Sequence, residues 1–285
     1  MSNVFDSGLV AATISRETLT VLSERLAKLS LFSSDFSNEV KKPRDTINVA
    51  IASDTGDTVT NPTNFAPAPD TTLSKTSVVM NHLAQFFGIS EVDLSNGHRL
   101  EQLVKINAQK FADAIWAAAI TPITALNFQA ATVTGVGSVT PDSADLKSLW
   151  GAVAKSDRKG LVLDAVNYAN FIPQNSEGLM IAPGAYGFEQ GIHYATTFPT
   201  GEANLTGFAC SPDAIAIAAA APALDSAVSQ NFYSSEVITL EQLGLSIYSN
   251  VYGDSATRQV TASMEVMFGS SAAVTDGTMA LIVSA

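Results

Sequence analysis

Only one cysteine, Cys210, occurs in the chain. That excludes an internal disulfide and a thiolate metal cluster, so packing and assembly must hold the fold. Charge is scarce too: Asp, Glu, Lys and Arg make up 15% of the 285 residues, against about 25% in ordinary soluble domains. A chain so poor in charge is expected to hide much of its surface against other subunits. Long apolar runs are missing as well. The two best candidates, 114–126 and 214–224, are short and broken by Pro122 and Pro222, so neither reads as a membrane span. The first ten residues, MSNVFDSGLV, have neither a basic start nor a continuous apolar core. No secretory signal is expected there, and a cytoplasmic chain is.

Basic residues run out after Lys159. Arg258 stands alone against eleven Asp and Glu residues, a net of −10 for that portion of a chain whose formal charge is −12. Such a surface repels phosphate at low salt and argues against a dedicated nucleic-acid-binding domain. The positive charge lies earlier, at Arg16, Arg25, Lys28, Lys41, Lys42 and Arg44 and on a long helix near residue 100.

Enzyme motifs are also missing. There is no GxSxG, HExxH or Walker A, and TGVGSV from Thr134 lacks the third glycine and the strand-to-helix context of a dinucleotide loop. His82, His98 and His193 are scattered and read as solvated or hydrogen-bonded side chains rather than ligands. Cys210 with His193 sketches a nucleophile and a base without a third group, and a buried structural thiol is the stronger reading. Asp54 and Asp57 in DTGD have the chemistry for a hard cation, yet a turn is the simpler role. No catalytic, cofactor-binding or metal-binding residue is assigned, and no cofactor is expected.

What is present centres on residues 95–122. Leu100, Leu103, Val104, Ala108, Phe111, Ala114, Ile115 and Ala118 recur at three-then-four spacing, while Glu101, Gln102, Lys105, Gln109, Lys110 and Asp113 occupy the other face. This predicts one long amphipathic helix of roughly 35 to 40 Å. Ser95 or Asn96 would cap its start, and Thr121 before Pro122 marks its end. Such a spine calls for a sheet to lie on.

Upstream, Leu19, Leu22, Leu26 and Leu29 predict a short helix from Thr13, after a dozen loose residues. The following SLFSSDFSNEVKKPRD keeps no period and reads as an arm. TINVAIA at 46–52 alternates like a half-buried strand. More than twenty residues rich in Asp, Thr, Asn, Pro and Gly follow, before the chain returns through 78–87 as the second strand of a long hairpin. An isolated hairpin is marginal in water, so this one is expected to lie on a neighbouring subunit.

Downstream, 123–140 is a Gly-bearing connector. A helix opening at Asp142 and Ser143 turns Leu146, Leu149, Trp150 and Val153 to one face, 161–163 is a buried strand, and Asp164 caps another helix. GFACSPDAIAIAAAAPALD predicts two core strands about the Pro212–Asp213 turn, with alanines allowing close backbone approach. Three alternating strands close the chain, separated by turns at Gly253–Asp254 and Asp276–Gly277. They are expected to form an antiparallel sheet under the spine helix.

This order of parts resembles the HK97-type major capsid protein of tailed bacteriophages. The residues that carry the likeness are TISRETLTVLSERL, RDTINVAIA, ISEVDLSN, GLVLDAVNYANFI, GFACSPDAIAIAAAAP and LGLSIYSNVYGDSATRQVTASMEVMFG. The resemblance implies an α+β HK97-like capsid fold in four parts. These are an N-terminal arm (1–44), an extended loop (45–92), a peripheral domain (93–139 and 236–285) and an axial domain (140–235). It also implies a structural protein that assembles with itself, as hexamers and pentamers, into an icosahedral shell enclosing double-stranded DNA. A separate scaffolding protein, a portal and decoration proteins are implied partners, a membrane is not, and assembly takes place in a host cytoplasm. Covalent cross-linking is not expected, since Lys75 is the only lysine in the extended loop and no isopeptide partner is evident. Two alternatives stay open: an encapsulin-like compartment shell, and an α/β enzyme with an unusual site.

Overall fold

The computed structural model describes residues 7–52, 73–90, 97–129, 133–134, 143–155, 158–169, 187–196, 198, 202–223, 232–240, 243–254 and 259–283. Helix α1 (Ser7–Leu26) runs through a 3-10 turn into strand β1 (Ser33–Lys41). Strands β2 (Thr46–Ala52) and β3 (Leu73–Val79) form an antiparallel hairpin, and β4 (Asn81–Ile89) follows. Next come the spine helix α2 (Gly97–Ile120), α3 (Ala125–Phe128) and β5 (Val133–Thr134). The middle of the chain supplies α4 (Ser143–Ala152), β6 (Gly160–Leu163), α5 (Ala165–Ala169), β7 (Ile192–Tyr194) and β8 (Leu205–Cys210). Strands β9 (Ile215–Pro222), β10 (Phe232–Leu240), β11 (Leu245–Asp254), β12 (Gln259–Ala272) and β13 (Met279–Val283) complete it.

A six-stranded main sheet runs β1-β9-β12-β11-β10, with β4 on the other edge of β12. A second sheet runs β5-β13-β8-β6-β7. The fourteen-residue β12 organises the first sheet. Its early residues pair with β11 on one edge and with β4 on the other, and its later residues pair with β9. Alternation then sorts its side chains: Ala262, Met264, Val266 and Phe268 enter the main core with Phe111, Ile115 and Trp116 of the spine helix. The opposite face carries Ser263, Glu265 and Met267.

The spine lies where its period puts it, with Leu100, Val104, Ala108, Phe111 and Ile115 buried. Ala114 is exposed instead, and Ala112, Trp116, Ala119 and Ile120 join the buried arc. The arc is wider than one stripe because α1 lies alongside and covers a second one. The end matches Pro122; the predicted caps Ser95 and Asn96 lie outside the described residues.

Several expectations need correction. The first helix begins at Ser7, not Thr13, and its buried apolar positions include Ala11, Ile14, Val21, Leu22 and Leu26, while Leu19 is exposed. The segment after it has no period but is not an irregular arm: 33–41 forms β1, parallel to β9 at the sheet edge. This arm lies on its own subunit. Phe32 stacks between Trp116 (6.1 Å) and Phe208 of β8 (6.5 Å), joining spine, arm and second sheet.

The return strand of the hairpin is two strands. β3 pairs with β2, but β4 leaves the hairpin and joins β12. Met80 is the crossing point, its N–H donating to the Asp45 carbonyl and its own carbonyl accepting from the Arg44 N–H. The hairpin base does not wait for a neighbour either. Ile47, Val49, Ile51, Val78 and Met80 pack on Ala216, Ala218, Ala220 and Met267 of the main sheet. The alanines let the two layers approach, as their pattern predicted.

The last strand, β13, pairs with β8 in the second sheet rather than closing a terminal three-stranded sheet. It is buried on both faces, from Met279 to Ile282. The sheets therefore cut across the four expected ranges: β1, β4 and β9 come from three of them and share one sheet with β10, β11 and β12. Near α4, Leu146, Leu149 and Val153 are buried, but Trp150 is 44% exposed, because it caps the unit from outside, with Lys159 over its ring and its Nε1–H on Gly187 O.

Candidate assembly surface

Cross-strand registry puts Val237, Tyr248, Glu265 and Ala84 in one row, and Ser235, Asn250, Ser263 and Phe86 in the next. Both rows lie on the face of the main sheet away from the spine helix. The hairpin base covers the β9 end of that face and leaves the rest uncovered by any described element. Phe86 and Val237 are each more than half exposed there, and Val79 is half exposed at the hairpin root. Three apolar side chains and a set of hydroxyls share this face with one carboxylate among the described residues, an arrangement suited to burial against protein.

That carboxylate is satisfied from three strands. Glu265 accepts from Ser263 Oγ (2.7 Å) and Asn250 Nδ2 (3.4 Å), and its other oxygen meets His82 Nε2 at 3.1 Å. Ser235 Oγ then donates to Asn250 Oδ1 at 2.6 Å, so β10, β11, β12 and β4 are laced together. Partial burial and the Glu265 charge push the Tyr252 hydroxyl above its usual range. The sequence reading missed this cluster. Its signal was period two: Thr261, Ser263 and Glu265 alternate with the apolar residues of β12.

On the opposite side, ion pairs fasten α1 to the spine. Glu17 takes Arg16 (3.0 Å) and Lys105 (3.2 Å), Arg16 reaches Glu101 (3.1 Å), and Arg25 holds Asp113 (3.0 Å). Ser15 also donates to Glu236 on β10. Burial pushes the Glu17 carboxyl up, but the hydrogen bonds from Arg16 and Lys105 outweigh it and leave the group below its ordinary value of 4.5. A carboxylate with a lowered native pKa stabilises above its unfolded value and loses that contribution as pH falls through the native one. Acidification through the carboxylate range should therefore loosen α1 before the sheets, which hydrogen exchange on residues 7–26 at pH 7 and pH 3.5 would detect. Equal protection of α1 at both values would show that the ion cluster does not hold it.

The histidines are hydrogen-bonded: His82 to Glu265, His98 to Gln102 and His193 to Gln190 O. Cys210 is fully buried, and burial pushes its thiol up to about 12, so no thiolate is available for attack. Asp54 and Asp57 lie outside the described residues, as does most of TGVGSV. Lys75 is exposed on β3. No cluster of three or more metal-ligating side chains occurs among the described residues, and none of their helices is long and apolar enough to cross a membrane.

No protein-family model matches the sequence, and no curated protein matches it. Solved structures do match in fold. The capsid of an empty GTA particle aligns with a TM-score of 0.54 and 14% identity, over 92% of this chain and 90% of that one. The capsid of a native GTA particle gives 0.51 and 14% over the same shares. A virus-like particle from Pyrococcus furiosus gives 0.50 and 11%, over 95% and 98%. The chain has the α+β, HK97-like fold of these shells along nearly its whole length.

Proposed function

We propose that this chain is a structural protein, the major capsid protein of a tailed-bacteriophage-type particle, and not an enzyme. It assembles with itself into an icosahedral shell of hexamers and pentamers around double-stranded DNA. The observation that carries the reading is the fold likeness to shell subunits over more than nine tenths of the chain. The charge-poor, partly apolar outer face of the main sheet, where Glu265 is the one carboxylate among the described residues, supports it, since a chain of charge −12 associates with itself best where its charge is least. In this reading the spine helix and main sheet serve as the peripheral domain, and the second sheet with α4 and α5 as the axial domain. Residues 45–79 act as the extended loop, its base packed on the main sheet of its own subunit, while β4 belongs to the peripheral domain. Scaffolding, portal and decoration proteins are separate chains, and the shell forms in the host cytoplasm and ends in the virion.

Electron microscopy and analytical ultracentrifugation of the purified chain should give closed particles of uniform size. Monomers or dimers alone, under every salt and scaffold condition, would sink the reading. Particles holding nuclease-protected DNA support a virion shell, whereas particles filled with protein would point to a cellular compartment.

A further inference from the structure

A cleft of about 240 Å³ lies between the C-terminal turn of α1 and β7, with Glu24, Arg25, Lys28, His193, Tyr194 and Thr196 on its walls. Lys28 is half-buried, with Nζ 4.3 Å from the centroid of the Trp116 ring. Trp116 is itself buried. Arg25 commits one N–H to Asp113, and a guanidinium has five. His193 Nε2 lies 2.9 Å from the Gln190 carbonyl, which makes Nε2 the protonated nitrogen. The chain thus gathers an amine, a guanidinium, an imidazole and two hydroxyls in one concavity, with Glu24 as the acid on its walls.

We infer that this cleft captures small carbonyl compounds bearing a phosphate or carboxylate, with Lys28 as the amine that bonds the carbonyl carbon. Arg25 receives the anionic group, and Tyr194 and Thr196 offer it O–H donors. In the bond-forming step the Nζ lone pair adds to the carbonyl carbon, and the carbonyl oxygen departs as water after taking two protons. A C=N bond remains, with no net oxidation or reduction. Burial lowers the Lys28 ammonium to about 8, against the pull of Asp113 and with the help of Arg25. At pH 7.5 roughly a quarter of such an amine is free, against about 0.1% of an ordinary lysine. A less basic amine is also a weaker nucleophile, by analogy with the slope of about 0.5 known for thiols. A net advantage of about tenfold over an exposed lysine remains. The inference concerns the subunit and does not rest on shell formation.

The test treats the full chain at pH 7.5 with pyridoxal 5′-phosphate or with pyridoxal, traps the imine with borohydride as hydride donor, and maps the labels by peptide mass spectrometry. Lys28 should carry about ten times the label of Lys110, which is exposed on the spine helix. The phosphorylated probe should label it at least fivefold more than pyridoxal does. Lys28→Arg keeps a cation beside Trp116, so it should melt like the parent and lose this label alone. Labelling that follows exposure, with Lys28 no better than Lys110, would overturn the inference. Equal labelling by the two probes would overturn the anion site.

Discussion

Phe111→Ala should cost the subunit about 3 to 5 kcal/mol, the usual loss for truncating a fully buried phenylalanine, and yield aggregated or misassembled protein. Phe111 is 1% exposed in the core shared by the spine and main sheet. The hole would open in the core between the spine helix and the main sheet, whose β12 is held by pairing on both edges and cannot collapse into it. Lys110→Ala, one residue along and exposed, should move the melting temperature little. Equal melts for the two variants would mean that the faces of the helix are misassigned, and with them the seat of the main sheet.

The second large effect belongs to Gly269. A Cβ there would run into the Val79 carbonyl oxygen and come within 2.8 Å of Val78 Cγ1. The obstruction is backbone, so it cannot swing aside as the end of a flexible side chain would. Gly269→Val should lift the hairpin base from β12 and cost more than the 1 to 3 kcal/mol typical of overpacking. The loss should show first as faster hydrogen exchange in 46–52 and 73–79. Gly151→Ala is the control: nothing lies within 4 Å of its added methyl, and it sits in a helix. That change should stabilise by up to about 0.5 to 1 kcal/mol. If Gly269→Val leaves exchange in the hairpin unchanged, the layer contact at Ala216, Ala218 and Met267 is not what anchors it.

Elements whose own residues settle their form were legible in the sequence. The spine helix has a single apolar face and a proline behind it, and α5 has Asp164, whose Oδ1 accepts from the Asn167 N–H as a cap should. Partners were not legible where alternation continues across a change of sheet. From Leu73 to Ile89 nothing in the pattern marks Met80 as the crossing, because what sends β4 away is the free edge of β12, about 180 residues further on. β13 alternates like the strands before it, yet joins β8. β1 lacked any period because its strand form is imposed by the alanine-rich β9 beside it. The Glu265 cluster was hidden for a similar reason: its members come from four strands, and none looks unusual on its own. The Lys28 cleft likewise needed Trp116 and His193 to be brought to the end of α1.

The central place of β12 also governs the order in which the molecule is made. Its partners span the chain: β4 pairs Ile89 with Val260, and β9, which carries β1 from Ser33 onward, pairs Ala216 with Ser271. Contacts so distant in sequence close slowly; none can form before residue 260 has been synthesised, and the set is complete only at residue 272. Until then α1, the spine helix and β4 hold their apolar faces without a sheet to cover them, through most of the time the chain spends on the ribosome. Yield in the cell should therefore be limited by what shelters the nascent chain, and a truncation that removes β12 should leave insoluble fragments rather than a smaller folded unit.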